Sequence, residues 1–224
     1  MNPMKQLILP LCAFACLLVA CNESAEQAPE PNASGTAAKT ELQDGHYVIN
    51  KVKPKVTWMA SKLTGDGHNG TLHIESGKFT LQNGEIAMGK VIFDMKQIEV
   101  SDLTGEKKAS LEGHLRSGDF FNVETHPKAT LAVTGVNQDE GRNVLSATLT
   151  LNGKAVDYLI PVEMVEADVP GGMKGLAIQG KFNMDRTKHD ITYRSETFDD
   201  KLDWFIKDDV TIGFSVIGMP AMAM

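Results

Sequence analysis

At 224 residues and 24.3 kDa the chain can hold one ample domain or two small ones. Its formal net charge of −7 and pI near 5.4 point away from nucleic acid and from an anionic membrane surface as partners. Twenty glycines suit a loop-rich β protein better than a helical bundle. All three cysteines, Cys12, Cys16 and Cys21, fall in the first tenth of the chain. No cysteine remains beyond them for catalysis, metal binding or a disulfide.

Residues 1–20 read as a secretory signal. Lys5 supplies one positive charge, and an apolar run follows from Leu7 to Ala20, too short for a membrane span with these flanks. The run ends Leu18-Val19-Ala20-Cys21, which resembles the bacterial lipobox. That resemblance implies that Cys21 becomes the new N-terminus and carries acyl chains. Two or three chains at ~0.8 kcal/mol per buried CH₂ anchor stably where one would not. Asn22, rather than Asp, after the cysteine implies the outer membrane by the enterobacterial sorting rule, with the domain facing the periplasm. From residue 21 to residue 45 the composition is Glu, Ala, Pro, Ser, Thr and Asn, which reads as a flexible tether.

The expected domain runs over residues 46–219, where the dominant period is two. Val56, Trp58 and Ala60 alternate with polar neighbours, as do Leu72 and Ile74, then Val91, Phe93 and Met95. The same alternation returns at Ala129, Leu131 and Val133, at Leu176, Ile178, Phe182 and Met184, and at Val210, Ile212, Phe214 and Val216. It marks strands with one buried face. Asn152-Gly153 is the preferred pair for a two-residue type I′ turn. Such a turn pairs Leu151 with Lys154, Leu149 with Val156, Ala147 with Tyr158 and Leu145 with Ile160. A shift by one residue would destroy that match.

Two stretches read as helical. Leu111 to Pro127 begins as a short helix, with Leu111 and Leu115 one turn apart. Gly118 breaks it, and Phe120-Phe121 mark a junction that plugs one end of a core. Thr197 to Lys207 places Phe198, Leu202, Phe205 and Ile206 at i, i+4, i+7 and i+8. About eight antiparallel strands with one or two short helices can form a sandwich or a closed barrel, and periodicity alone does not separate them.

Signs of enzyme chemistry are lacking. The six histidines show no metal-ligand spacing, no Gly-x-Ser-x-Gly elbow occurs, and no Gly-rich loop opens a helix. No cofactor or metal is expected. Asp102, Asp119 and Asp185 are the carboxylates an enzyme on a lipid or sugar would have to use, and that is one alternative function. Lys62 and Arg186 keep the parity of the apolar faces before them, so each either approaches a cavity rim or snorkels into water. The apolar faces themselves could fill a solid core, as in a structural lipoprotein, or line a pocket, which suits Met beside Phe.

Trp58-Met-Ala-Ser-Lys62, His68-Asn-Gly-Thr71, Gly77, Gly89 and above all Gly113-His-Leu-Arg-Ser-Gly-Asp-Phe-Phe121, followed by Pro127, resemble the YceI-like family. The later Leu149-Thr-Leu-Asn-Gly hairpin and Phe182-Asn-Met-Asp-Arg186 fit the same pattern. The resemblance implies an all-β fold, a closed eight-stranded antiparallel lipocalin-like barrel around an apolar tunnel. It also implies binding of a long isoprenoid or related amphiphile (the quinone or isoprenyl phosphate class) without catalysis, and often a homodimer. The expected tunnel lining is Trp58, Phe79, Phe93, Met95, Phe120, Phe121, Leu131, Leu149, Tyr158, Phe182, Met184 and Phe214, with Lys62 and Arg186 toward a head group.

Overall fold

The computed structural model describes residues 42–50, 54–198 and 205–221. The signal segment, Cys21 and most of the tether lie outside the described residues. Those described form nine antiparallel strands: β1 (Gly45–Ile49), β2 (Lys55–Ser61), β3 (Gly67–Gln82), β4 (Glu85–Val100), β5 (Lys128–Asp139), β6 (Arg142–Leu151), β7 (Lys154–Val169), β8 (Met173–Asp185) and β9 (Asp209–Pro220). Each of β2 to β9 pairs with its sequence neighbours, and β2 also pairs with β9, which closes a barrel. Strand β1 pairs with the far half of β3 and the end of β9, while β2 pairs with the near half of β3 and the start of β9. Together β1 and β2 fill one of eight positions end to end. Ahead of β1, Asp44 accepts the amides of Asn83 and Gly84 at 2.7 and 2.9 Å. These bonds hold its carboxyl below the usual range.

The β6–β7 hairpin has the expected register, Leu151↔Lys154 through Leu145↔Ile160. Asn152 and Gly153 take φ of 48° and 75°, as a type I′ turn requires. Strands β3 and β4 run for 16 residues each and are bent by three register shifts between them, so each can wrap the barrel.

The two poles differ. One carries three tight turns, at Asn83-Gly84, Glu140-Gly141 and Gly171-Gly172. The other carries the β6–β7 hairpin and both long crossovers. The first crossover holds helix α1 (Gly105–Arg116), which starts six residues before the expected Leu111 and ends two before Gly118. Arg116 straps α1 to β4 by donating to the carbonyls of Lys96 (2.9 Å) and Ile98 (3.0 Å). Glu112 accepts the Val100 amide at 3.0 Å. Leu115 is buried against Trp58, Ile98 and Val100, and Leu111 packs beside it.

The second crossover departs from expectation. Most of the helix anticipated over Thr197–Lys207 falls on residues 199–204, outside the described residues. Of its described ends, Thr197-Phe198 lies in a turn and Ile206 forms a β-bridge with Lys62. A single 3₁₀ turn, Arg186–His189, opens this crossover, capped by Asp185, whose carboxylate accepts the Thr187 amide.

A candidate ligand cavity inside the barrel

The sheet carries large residues inward at alternate positions, yet the barrel is not filled. Its interior keeps a cavity of about 170 Å³. The surface exposed to it is apolar, although Arg186 and, on the strands of the wall, Lys78 and Lys90 also border it. Trp58, Phe79, Phe93, Met95, Phe120, Phe121, Leu131, Leu149, Phe182, Met184 and Phe214 all border this one cavity.

Glycines explain why so many bulky residues leave a void. An added Cβ at Gly70 would meet the Trp58 indole at 2.6 Å, at Gly180 the Phe214 ring at 2.7 Å, and at Gly218 the Phe79 ring at 2.2 Å. Ile49 lies over Gly77 in the same way, at 2.4 Å. Large side chains therefore lie flat in berths along the wall and leave the axis clear. The Trp58 N–H reaches across Gly70 to the Glu99 carbonyl at 3.2 Å, so its polar atom is satisfied and only carbon faces the lumen.

Side chains pack toward both ends. At the pole of tight turns, Tyr47, Leu81, Ile160 and Leu176 are buried, and Tyr47 stacks on Phe79 with ring centroids 5.2 Å apart. At the crossover pole, Leu115, Phe120, Phe121, Ile191 and Ile206 complete the lining. The two crossovers meet there through His114, Phe120 and Tyr193, whose rings lie 5.0–5.3 Å apart. Among the described residues, the space implied as a tunnel is thus narrowed by packed side chains toward each pole.

Two expected site residues, Tyr158 and Lys62, stand elsewhere. Tyr158 lies outside the lining; its ring packs on Phe182, and its O–H donates to Nε2 of His189 at 3.0 Å. Burial pushes its phenol up to about 12, helped by Asp185 and Asp209. His189, fully buried, donates from Nδ1 to the Lys154 carbonyl at 3.1 Å, which fixes the neutral tautomer. Burial holds its pKa below the ordinary value. Lys62 lies in the β2–β3 turn, bridged to Ile206, and does not border the cavity.

Arg186 touches the cavity, but its head-group role does not survive the geometry. Only 2% exposed, it donates to the carbonyls of Lys207, Ile191, Tyr193 and Ile206 at 2.9–3.1 Å. Nη2 also sits 3.1 Å from Asp208 Oδ1, an ion pair whose angle falls short of a hydrogen bond and leaves that oxygen with no other partner. With every N–H directed at the protein, no donor remains for a phosphate. Arg186 is a clamp that ties the start of the second crossover to its end. Asp208 also accepts from Ser195 Oγ (2.9 Å) and Thr197 Oγ1 (2.7 Å).

The carboxylates an enzyme would need are spent outside the chamber. Asp102 accepts from His68 at 2.7 Å, Asp119 accepts from His114 at 2.9 Å, and Asp185 caps the 3₁₀ turn. Among the described residues no cluster of three or more His, Cys, Asp or Glu is close enough to hold a metal. Residues that sequence reading missed include Ile49, Ile86, Leu145 and Ile191. Ile86 and Leu145 share the inward parity of aromatic neighbours that were chosen for size. The berths were also readable, as glycines at inward positions of apolar runs, Leu176-x-Ile178-x-Gly180-x-Phe182 and Phe214-x-Val216-x-Gly218.

The model of the YceI-like domain matches residues 47–217. A curated relative, Protein YceI of Escherichia coli O157:H7, is 30% identical over 118 residues, 51% of this chain and 60% of that protein. The matched region thus spans less than two thirds of that relative's length. Among solved structures, Burkholderia cenocepacia BcnA aligns with a TM-score of 0.62 at 15% identity, over 76% of this chain and 99% of that one. A polyisoprenoid binding domain from Saccharophagus degradans, implicated in plant cell wall breakdown, aligns with a TM-score of 0.53 at 14% identity, over 78% and 98%. At these identities the likeness is one of fold.

Proposed function

Because the chain belongs to the YceI-like family, we propose that its barrel binds a long-chain isoprenoid or related amphiphile and holds or ferries it in the periplasm. The observation that carries this reading is the apolar chamber, kept clear by wall glycines in a barrel with residues enough to fill it. The polyisoprenoid-binding domain of the same fold supports the ligand class. Each isoprene unit buries five carbons and gains roughly 3–4 kcal/mol gross at ~0.8 kcal/mol per CH₂. Ordering a floppy chain offsets much of that gain. Recognition then follows tail length, since Arg186 is engaged by the protein and Lys62 does not border the cavity. Acylation of Cys21 would hold the barrel at the outer membrane, a reading supported by the lipobox-like run before it. The action is binding without turnover.

Native mass spectrometry of the gently purified protein, followed by lipid extraction, tests this reading. A co-purifying polyprenyl or quinone-type lipid is the expected result. A chamber that stays empty and takes up neither ligand on addition would leave the barrel a solid scaffold.

A further inference from the structure

The outer surface around β1 is unlike the rest of this acidic chain. Four outward residues lie side by side by register: Lys90 of β4, Lys78 of β3, Val48 of β1 and Met219 of β9. Met88 lies in the row nearer the tight turns, opposite Thr80. In the row on the other side Ile217, Ala177 and Val165 cross from β9 to β7. None of these positions is a carboxylate, although the chain has 29 of them. Large apolar side chains stand in water here, with Met88 58%, Val165 62% and Val48 41% exposed.

The two lysines sharpen the pattern. Lys78 and Lys90 are direct cross-strand partners, an arrangement that repels. Both are exposed, and neither forms an ion pair with a described residue. By contrast Lys128, Lys154 and Lys174 meet Glu75, Asp190 and Asp168 within 2.6–2.9 Å. An anion seated between Lys78 and Lys90 would turn a repulsive pair into a binding site.

We propose that this band is the face the barrel lays against a phospholipid surface. Lys78 and Lys90 take lipid phosphates, while Val48, Met88, Ile217 and Val165 enter the head-group layer. The route of the chain fits. Residues 22–41 separate Cys21 from the first described residue, and the chain enters the barrel at β1, in the middle of the band. Twenty residues at ~5–6 Å × √n reach about 25 Å, short enough for the β1 side to rest on the surface. The overall charge of −7 conceals this face, because none of the positions in these rows is acidic. The proposal rests on the Cys21 anchor only for delivery of the barrel to the surface.

Lysine acylation read by mass spectrometry tests it on the full chain. The protein is compared in detergent and in vesicles of phosphatidylethanolamine with phosphatidylglycerol. Where mass analysis finds Cys21 unacylated, the anchor reading fails, and the N-terminal thiols are coupled to a maleimide-bearing phospholipid so that the face is still read. Modification of Lys78 and Lys90 should slow about fivefold or more on vesicles, in line with about one factor of five per lysine at an anionic surface. Lys107 and Lys188, outside the band, should react at unchanged rates. Equal rates at all four lysines would overturn the proposal. Protection that appears in detergent as protein concentration rises would also overturn it, by assigning the face to a second copy of the chain.

Discussion

Gly218→Ala tests the idea that berths along the wall keep the chamber open. Gly218 is in extended backbone, so alanine is conformationally permitted and only the space around it decides the outcome. The new Cβ would lie 2.2 and 2.3 Å from Cζ and Cε1 of Phe79, with no backbone atom among its nearest neighbours. Ordinary carbon contacts lie near 3.5–4.0 Å, so the ring must move by at least about 1.3 Å. Tyr47 blocks one face of that ring, which leaves the lumen as the direction of escape. The added methyl and the displaced ring together remove room for about one or two CH₂ groups of ligand. At ~0.8 kcal/mol each, affinity should fall by roughly 0.8–1.6 kcal/mol, or about four- to fifteenfold. Overpacking should cost a further 1–3 kcal/mol or so of stability. Displacement of a fluorescent long-chain probe and a thermal melt read the two effects. Wild-type affinity for the longest polyprenyl ligand, with an unchanged Tm, would refute the reasoning. Gly70→Ala should behave differently: its Cβ would meet the Glu99 carbonyl oxygen at 1.8 Å, a backbone clash that no rotamer relieves, so misfolding is expected.

Arg186→Met keeps length but strips the clamp, leaving Asp208 and four carbonyls short of a buried partner; breaking such a pair costs about 3–5 kcal/mol, seen as a Tm lower by roughly 6–20 °C. His189 is neutral in the fold, and burial depresses its pKa, so the unfolded chain binds more protons once pH drops below about 6.5. Its contribution is therefore complete above that value and is lost as pH falls toward the folded pKa. Denaturant titrations from pH 7.5 downward should show a loss of stability that is shallower in His189→Gln; identical slopes would remove His189 from the account. Lys62→Ala should leave the affinities for a phosphorylated and a neutral polyprenyl ligand in the same ratio, measured by calorimetry, and a selective loss of the phosphorylated ligand would return Lys62 to the head-group site.

Most of the barrel was legible because its signal is local and periodic. Alternation placed the strands, and Asn152-Gly153 set a register that carries four cross-strand pairs. The apolar lining followed from the same parity. The misses share a cause: a side chain's partner is fixed by tertiary contact, not by its own neighbours. Arg186 keeps inward parity, but the carbonyls it satisfies arrive from residues 191–207, far along the chain. Tyr158 faces inward too, yet His189 draws its hydroxyl aside. The β-bridge between Ile206 and Lys62, at the end of the stretch with helical spacing, is likewise a contact that no sequence window contains. A void, finally, is a difference between wall and filling, and only the glycine positions hinted at it.

The placement of β9 has a consequence for how the chain is made. The last strand to emerge bonds to β2 and β1, the first two, so the ring cannot close until its final dozen residues are free. Up to that point the outer edges of β2 and β8 stand open and ready to pair with any other strand. Closure joins partners more than 150 residues apart, the kind of contact that slows folding. Loss of strand β9 should therefore yield an aggregating protein rather than a smaller barrel, and a partner that shields those edges during synthesis would raise the yield of folded chain.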